Sequence, residues 1–279
     1  MRTYAWLSVR SGEEPGTLEV WESDDTVIIR KSQAELEKMA RAGRVVQGCL
    51  DLMAQEIKPG ITTKELDRLA ERFIRAKGGV PTFKGFRGFP GSICTSPNDM
   101  VVHGIPDGTR LREGDILGVD VGVTLEGYIA DAARTLPVGE ISEVARELLQ
   151  VTEESLYEGI AQCQVGNRVG DISHAVQTHA EAHGFSVVRS MVGHGVGRDM
   201  HEDPQIPNFG PPEQGPELRD GMVLAIEPMV NVGGFEVEIG DDSWAIYSKD
   251  GSLSAHFEHT VAITRTGPRI LTAAEVAGA

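Results

Sequence analysis

Residues 116–136 read ILGVDVGVTLEGYIADAARTL, and this stretch predicts the architecture more directly than any other part of the chain. Apolar residues alternate with small or polar ones on both sides of the tripeptide at 125–127, which is typical of two antiparallel strands joined by a tight turn. A two-residue turn puts Asp120 and Asp131 on one face of this hairpin. The two aspartates lie directly opposite if the turn uses the first two residues of the tripeptide, and are diagonal neighbours about 7 Å apart if it uses the last two.

Acidic side chains also interrupt two other apolar runs. Glu227 lies within MVLAIEPMV and Glu258 within SAHFEHTVAIT, which otherwise predict buried or half-buried strands. Neither run contains a lysine or arginine, and an isolated ionised carboxylate in an apolar setting is costly unless it is paired, neutralised or bound to a metal. His194 stands between glycines, whose backbone can adopt unusual angles and approach a ligand closely. Divalent-cation binding explains all five residues together, and four carboxylates neutralise two such ions.

Each of these residues also has a simpler interpretation. The two aspartates would be ordinary solvent-facing residues of an amphipathic hairpin, and the glycines around His194 would form a plain turn. Glu227 would be a buried acid that accepts hydrogen bonds from backbone amides, and Glu258 would pair with His256 or His259. A shared metal site is favoured because one explanation covers the whole set.

A set of one imidazole and four carboxylates is rich in oxygen ligands. It differs from closed structural zinc sites, which prefer thiolates and imidazoles, and it fits manganese, iron, cobalt or catalytic zinc. Two such ions about 3.5 to 4 Å apart generate a nucleophile from water at neutral pH, which suits the hydrolysis of amides or esters. Histidines outside the set, such as His103 and His201, would donate hydrogen bonds to the substrate carbonyl.

The composition is that of a globular protein, because 40% of the 279 residues are hydrophobic and 24% are charged. The net charge of −16 argues against long-range attraction to nucleic acid or an anionic membrane, and no apolar stretch approaches the length of a membrane span. The start of the sequence has no secretory signal pattern, and Cys49, Cys94 and Cys163 form no closely spaced pair. We therefore expect a cytoplasmic location.

The remaining pattern predicts one catalytic domain after a short arm. Six acids and no base occur between positions 13 and 25, so we expect residues 1–30 to form a solvated acidic arm and residues 31–279 to form a single domain. A shift of 106 residues lays Gly60 on Gly166 and Gly78 on Gly184, which indicates a duplicated unit of two helices followed by strands. Capping signatures and helical spacing predict four helices, over about 33–57, 62–77, 141–163 and 169–183. We expect an α+β fold in which the strands of two halves pack together, with helices outside and a central cleft between the halves.

Five segments together resemble the type I methionine aminopeptidases: FPGSICTSPNDMVVHGIP, GVDVGVTLEGYIAD, GHGVGRDMHEDP, IEPMV and SAHFEHT. The similarity covers nearly all of the chain from about residue 30 to 265 and leaves the arm outside. It implies the pita-bread fold, with two pseudo-symmetric halves, a central antiparallel sheet and outer helices. It also implies a hydrolase with a two-metal centre that removes the initiator methionine of nascent proteins when the second residue is small.

The resemblance assigns roles to individual residues. The five metal ligands of the family fall on Asp120, Asp131, His194, Glu227 and Glu258. Asp131 and Glu258 would bridge two divalent ions, of cobalt, manganese, iron or zinc. His194 and Glu227 would complete one metal site and Asp120 the other, and Glu227 would also carry the proton during catalysis.

Substrate contacts are implied as well. His103 would hold the substrate near its N-terminus, and His201 would bind the scissile carbonyl as the oxyanion forms. The methionine pocket would be lined by aromatic and sulfur-bearing side chains, which suit a flexible thioether: Phe86, Phe89, Cys94, Met200 and Trp244. Core packing is the simpler interpretation of each of these five. The implied partners are nascent N-termini and methionine peptides, with ribosome association and a monomeric state.

Two alternative functions stay open. The same ligand set serves the proline-specific relatives, aminopeptidase P and prolidase, and Tyr128, Arg134 and Thr135 in GYIADAART lean toward their pattern. The segments VVHGIP, IEPMV and SAHFEHT point back to the methionine aminopeptidases. Pita-bread proteins without activity act as binding modules, but they typically lose ligands that this chain keeps.

Overall fold

The computed structural model describes residues 27–273, so the predicted arm at 1–30 lies outside it apart from its last four residues. A 3-10 turn spans Phe86–Gly88, and the described residues form four α-helices: α1 Gln33–Glu56, α2 Thr63–Ala76, α3 Glu143–Ala161 and α4 Val169–Ala182. All four predicted helices are present, and their ends differ from the predictions by only one or two residues. None of these helices combines the length and the apolar character that a bilayer crossing demands.

Fifteen short strands complete the described part of the chain. They are β1 Val80–Pro81, β2 Cys94–Pro97, β3 Met100–Val102, β4 Ile116–Leu125, β5 Tyr128–Pro137, β6 Ser186–Val187, β7 Gly193–Gly195, β8 Glu202–Ile206, β9 Val223–Ile226, β10 Met229–Asn231, β11 Val237–Ile239, β12 Ile246–Ser248, β13 Ser254–His256, β14 His259–Thr264 and β15 Gly267–Ile270.

Helices α1 and α2 begin at their predicted capping signatures. The Glu35 carboxylate accepts a hydrogen bond from the Ser32 backbone N–H at 2.9 Å, and Glu65 does the same for Thr62 at 2.8 Å. These bonds satisfy backbone donors that a helix start leaves without an intrahelical partner. Helix α2 ends just before Gly78, whose φ of 79° suits a left-handed helix terminus.

Strands β4 and β5 form the predicted hairpin, and Glu126-Gly127 is its turn. Both turn residues have positive φ, 52° and 77°, as a type I′ turn requires. The register pairs Gly122 with Asp131, two positions beyond Asp120. The two aspartates are therefore diagonal neighbours on one face, which is the second of the two predicted arrangements.

Every strand pairing in the described residues is antiparallel. Strand β4 pairs with β5 along one edge and with β1 and β2 along the other, and the remaining strands form three further sheets in the orders β13-β10-β6, β11-β12-β3 and β15-β14-β9-β7-β8. The predicted central antiparallel sheet is thus divided into four sheets. The chain passes directly from the five-stranded sheet to a three-stranded one between β9 and β10.

The helices lie outside the strands in two pairs and define two halves. One apolar core lies between α1, α2 and the β4–β5 hairpin, and another lies between α3, α4 and strands of the second half. The φ angles of Gly60 and Gly166 are nearly equal, at 94° and 98°. Those of Gly78 and Gly184 are also nearly equal, at 79° and 82°. The second helix of each pair, α2 and α4, is therefore flanked by glycines of the same backbone conformation 106 residues apart, as the predicted duplication requires.

The two halves are joined by a pair of backbone hydrogen bonds. The Glu258 N–H donates to the Ala133 carbonyl at 2.9 Å, and the Ala133 N–H donates to the Glu258 carbonyl at 3.3 Å. These bonds attach the short connection between β13 and β14 to the outer edge of β5. Glu258 of the second half is thereby fixed against the hairpin of the first.

Candidate metal centre

The five predicted ligands come from five different parts of the fold. Asp120 lies in β4, Asp131 in β5 and His194 in β7. Glu227 follows β9 directly and Glu258 lies between β13 and β14, so neither acid is inside a strand as the apolar pattern had predicted. Both stand where the chain leaves one sheet for another, because β9 and β14 belong to the five-stranded sheet while β10 and β13 belong to a three-stranded one.

The structure brings these side chains together at the junction of the two halves. His194 Nε2 lies 4.0 Å from Asp131 Oδ2 and 3.6 Å from Glu227 Oε1. Ligand atoms of Asp131, His194 and Glu258 all lie within 4.8 Å of one another. Asp120 lies beside Asp131 on the same face of the hairpin, and its charge contributes to the raised pKa of Asp131. The five residues form one group, which we call the carboxylate cluster.

Burial dominates the electrostatics of the carboxylate cluster. It raises the pKa of Asp120 to about 7, and it raises the pKa values of Asp131, Glu227 and Glu258, to which repulsion among the carboxylates also contributes. Burial lowers the pKa of the His194 imidazole to about 4, so this ring is neutral at pH 7. Without metal, the imidazole is neutral and the carboxylates retain protons. A divalent cation that displaces these protons converts the same groups into its ligands.

Three oxygens of the cluster are buried and have no hydrogen-bond partner among the described residues: Asp120 Oδ1, Asp131 Oδ1 and Glu258 Oε1. Buried polar atoms are normally paired, so these oxygens require a partner that the protein itself does not supply. Carboxylate oxygens with one imidazole suit cobalt, manganese, iron and zinc alike. The residues present therefore fit a divalent metal centre.

Two buried threonines reinforce the junction that carries the cluster. The Thr260 hydroxyl donates to the Asp131 carbonyl at 2.7 Å and accepts the Asp131 N–H at 2.9 Å. The Thr135 hydroxyl makes the equivalent two bonds with His256, at 3.0 and 2.8 Å. The roles of these two threonines are not evident from the sequence, because the spacing of residues along the chain does not reveal which distant strands meet.

The glycines beside His194 have a different purpose from the predicted one. Gly193 and Gly195 belong to β7, whose register against β8 shifts between His194 and Gly195, and neither glycine has the positive φ that would require glycine there. A Cβ on Gly193 would collide with the carbonyl oxygen of Ala225, and one on Gly195 with that of Asp203. The missing side chains let neighbouring strands pack closely around the strand that carries the imidazole.

Two further histidines border the carboxylate cluster. The His201 ring centroid lies 4.4 Å from that of His194 and 5.6 Å from that of Phe86. His103 follows β3 with a φ of 62°, and burial lowers its pKa to about 4. The pKa of His201 is also lowered, by desolvation and by the neighbouring His194. Both rings are neutral at pH 7, and a neutral imidazole can donate one hydrogen bond to a carbonyl.

The five predicted pocket residues lie in one apolar cluster: Phe86, Phe89, Cys94, Met200 and Trp244. The Phe89 and Trp244 rings meet edge to face, with centroids 5.1 Å apart. Cys94 is paired with Asp120 in the β2–β4 register, and burial together with the nearby carboxylates raises its thiol pKa well above the usual value. The thiol stays protonated, so an apolar wall adjoins the carboxylate cluster directly.

The residues that lean toward the proline-specific pattern have structural partners. The Tyr128 hydroxyl donates to Glu35 at 2.6 Å, and Arg134 lies 3.2 Å from Asp51. Thr135 belongs to the junction described above. Each of the three residues therefore has a structural contact within the protein.

The side chains that contact Glu227 are not evident from the sequence either. The Asn208 side chain donates to the Glu227 carbonyl oxygen at 2.9 Å, and His256 Nε2 lies 3.7 Å from Glu227 Oε2. His256 was expected beside Glu258 in the simpler interpretation of that acid. The GHG, IEP and FEH segments contain no signal that identifies Asn208 as a neighbour.

Known proteins resemble the chain over most of its length. Residues 37–265 match the profile of metallopeptidase family M24. Methionine aminopeptidase 1 of Bacillus subtilis is 55% identical over 246 residues, which cover 88% of this chain and 99% of that protein. The crystal structure of methionine aminopeptidase from Thermotoga maritima superposes with a TM-score of 0.88 at 45% identity, covering 89% of this chain and 100% of that one.

The proline-specific enzymes are more distant. A prolidase from Pyrococcus furiosus superposes with a TM-score of 0.69 at 22% identity, covering 88% of this chain and 66% of that one, and so shares the fold. The predicted α+β pita-bread architecture is confirmed by these similarities. The chain therefore belongs to metallopeptidase family M24 and, within it, to the methionine aminopeptidases.

Proposed function

We propose that this chain is a metal-dependent aminopeptidase that removes the initiator methionine from nascent proteins and peptides when the second residue is small. The observation that carries the proposal is the buried group of Asp131, His194 and Glu258 beside an apolar cluster of aromatic and sulfur-bearing side chains. The first suits a pair of divalent ions and the second suits a thioether side chain. The high identity to named methionine aminopeptidases supports the same activity.

In this proposal each residue of the carboxylate cluster has a distinct role. Asp131 and Glu258 would each serve both of two divalent ions, His194 and Glu227 would complete one metal site, and Asp120 would complete the other. When bound, the ions lower the pKa of water and polarise the peptide carbonyl. Glu227 moves the proton from the attacking water to the leaving amine, a role that requires a carboxylate at the edge of the cluster.

The two neutral histidines act on the substrate itself. His201 donates a hydrogen bond to the scissile carbonyl as negative charge develops on its oxygen, and His103 contacts the substrate near its N-terminus. The lowered pKa values of both rings support this assignment, because a neutral donor remains available throughout the physiological pH range.

The apolar cluster provides the anchor for methionine. Fully burying such a side chain is worth roughly 1.5 to 3 kcal/mol. The edge-to-face pair of Phe89 and Trp244 offers a rigid wall for the thioether, and Cys94 joins that wall to the acids. A tight wall beyond the first residue excludes bulky second residues by collision.

We extend the proposal to the setting of the enzyme. It acts as a cytoplasmic monomer with one catalytic domain at 31–279 after the acidic arm, and it works at the ribosome, where nascent N-termini emerge. A groove along α2 supports ribosome association, because five basic side chains and only two acidic ones line it in a chain of net charge −16: Lys58, Arg68, Arg72, Arg75 and Arg110 against Glu65 and Glu71. The few exposed large apolar side chains of residues 27–273 are distributed over several segments of the chain, which supports a monomer.

A substrate panel tests the proposed activity. Dialysed protein is loaded in turn with cobalt, manganese, iron or zinc and is then given Met-Ala, Met-Gly, Met-Lys and Ala-Pro peptides. We expect fast release of methionine from the first two and much slower release from Met-Lys. Turnover of no methionine peptide with any metal would contradict the proposal and favour a binding module. Faster cleavage of Ala-Pro would favour a proline-specific exopeptidase.

A further inference from the structure

A buried ion pair joins the segment before α1 to the turn that carries His201. Lys31 Nζ lies 2.6 Å from Glu202 Oε2, and the two side chains are only 3% and 5% exposed. A charge buried to this extent strongly destabilises its surroundings when its partner is removed, so this pair fixes the two segments relative to each other. Exposed ion pairs, such as Arg41 with Glu126, stabilise the fold much less because water screens their charges.

Glu202 organises the whole turn at 197–202. Its other carboxylate oxygen accepts the backbone N–H of Arg198 at 2.9 Å and that of Asp199 at 3.4 Å. A Cβ on Gly197 would collide with this carboxylate and would lie 2.6 Å from Lys31 Cε, so the turn is folded closely around the ion pair. The ion pair is therefore the centre of the turn.

The lysine end of the pair is itself held in place. The Lys31 N–H donates to the Gly221 carbonyl at 2.6 Å, and its ammonium donates a further hydrogen bond to the Ile29 carbonyl at 3.1 Å. The turn meets the start of α1 a second time, because Arg198 donates to the Tyr128 hydroxyl, which donates to Glu35.

The turn presents two residues to the substrate site. Met200 belongs to the apolar cluster, and the His201 ring stands 4.4 Å from that of His194. His201 is an exposed residue, so the location of its imidazole depends on the backbone of the turn. A displacement of this backbone by about 1 Å is enough to spoil a hydrogen bond to a developing oxyanion.

We propose that Lys31 is a positioning residue, whose ion pair with Glu202 sets the 197–202 turn so that Met200 and His201 face the substrate; this inference rests on the proposed function. The polar contacts of Lys31 go to Ile29, Glu202 and Gly221, which lie outside the carboxylate cluster and the apolar pocket. It acts on the reaction through the turn, and the chain segment before α1 is thereby a part of the substrate site.

Replacing Lys31 with methionine tests this role, because methionine keeps the length of the side chain and removes its charge. We expect kcat/KM for a Met-Ala peptide to fall tenfold or more, with kcat affected because the oxyanion donor is misplaced. Metal bound per chain should stay at the wild-type value. The matched control is Arg41→Met, which removes the exposed pair with Glu126 and should change kcat/KM less than twofold.

Two results would overturn the inference. One is a folded Lys31→Met protein whose kcat/KM lies within twofold of the wild type. The other is a loss of activity that only follows a loss of bound metal, because activity per loaded chain would then be unchanged. If the single variant does not fold, Lys31→Met combined with Glu202→Gln removes both buried charges, and the same criteria apply to it. An inactive wild-type protein would refute the proposed function instead, so the two failures are distinguishable.

Discussion

The two halves of the molecule supply their acidic ligand candidates in different ways. Asp120 and Asp131 lie inside β4 and β5, where a ladder of ten residue pairs fixes them. Glu227 and Glu258 lie at breaks between strands and depend on a few hydrogen bonds from distant residues. A side chain on a ladder is placed by local pattern, whereas a side chain at a break is placed by tertiary contacts. The second kind should therefore be the more easily disturbed.

The largest expected effect comes from neutralising Asp131 in the first half or Glu258 in the second. Because both acids are central to the carboxylate cluster, the two losses of activity should be equal, although the two side chains are held in different ways. Asp131→Asn and Glu258→Gln should each lower kcat/KM about a thousandfold, or about 4 kcal/mol. Without metal, Asp131→Asn should be more stable than the wild type at pH 8, because it removes a buried carboxylate that its neighbours repel. Peptide hydrolysis with excess metal and urea unfolding with a chelator measure the two effects.

The control for these variants is Glu126→Gln, which neutralises an exposed carboxylate in the turn of the same hairpin. It should leave activity unchanged. Full activity in either cluster variant would show that the carboxylate cluster is not the reaction centre.

Metal removal should make stability depend on pH. Burial raises the pKa of Asp120 from an ordinary value of 3.8 to about 7 and raises those of the other three acids, so the folded metal-free protein retains protons that the unfolded chain releases. Each extra proton retained by an acid makes the free energy of unfolding fall by about 1.4 kcal/mol per pH unit as pH rises. The buried histidines, whose pKa values are lowered from 6.5, act in the opposite sense below that pH, because there the unfolded chain binds the extra protons. We therefore expect the net fall above about pH 6.5.

Urea unfolding at several pH values, with chelator and with metal, measures this dependence. The loaded protein should show a weaker fall over the same range, because the cation replaces the protons. Equal slopes for the two forms would mean that the cluster does not bind the added ion.

The threonines of the junction allow the comparison to be sharpened. Thr135→Val and Thr260→Val each remove two buried hydrogen bonds that hold the segment 256–260 against β5. We expect metal affinity to fall 10- to 100-fold, as is usual when a group that orients a ligand is lost. Amide exchange should accelerate around Glu258 and remain slow in the β4–β5 ladder.

Serine at the same positions keeps the hydroxyl and serves as the matched control. It should restore most of the metal affinity. Faster exchange throughout the hairpin in the valine variants would show that the ladder also depends on the junction, and the contrast between the halves would disappear.

The smallest expected effect concerns the backbone of Glu227. Asn208→Ala removes the side-chain donor to the Glu227 carbonyl, which should cost about 1 kcal/mol of stability. We expect a severalfold loss of kcat without loss of bound metal, because the side chain of Glu227 is displaced slightly. Calorimetric unfolding and steady-state kinetics check both parts. The exposed Gln205→Ala variant on neighbouring β8 is a suitable comparison and should alter neither.

Much of this organisation could be predicted from the sequence. The helices follow from capping residues and apolar spacing, and the hairpin follows from alternation around 125–127, because these signals act between residues close together in the chain. Acids within apolar runs predict the carboxylate cluster from an equally local signal, because the uncompensated burial of a charge is costly. The sequence did not decide which turn the hairpin uses, because both registers place the aspartates on one face.

Other features escaped prediction because they depend on residues far apart in the chain. Thr260 bonds with Asp131 across 129 positions, and Lys31 pairs with Glu202 across 171. The glycines beside His194 allow neighbouring strands to approach closely, and a local sequence pattern does not reveal such a contact. The apolar runs around Glu227 and Glu258 predict buried or half-buried strands, and the change of sheet that interrupts both depends on pairing with distant strands.

The helices, the hairpin and the acidic chemistry of the centre thus follow from local properties of the sequence, which are propensity, capping and the energetic cost of buried charge. The meeting of the halves at Ala133 and Glu258, the groups that hold the ligands in place, and the segment that supports the His201 turn are defined only in the folded protein. Those outcomes depend on which surfaces pack together, and packing is settled by the whole chain at once.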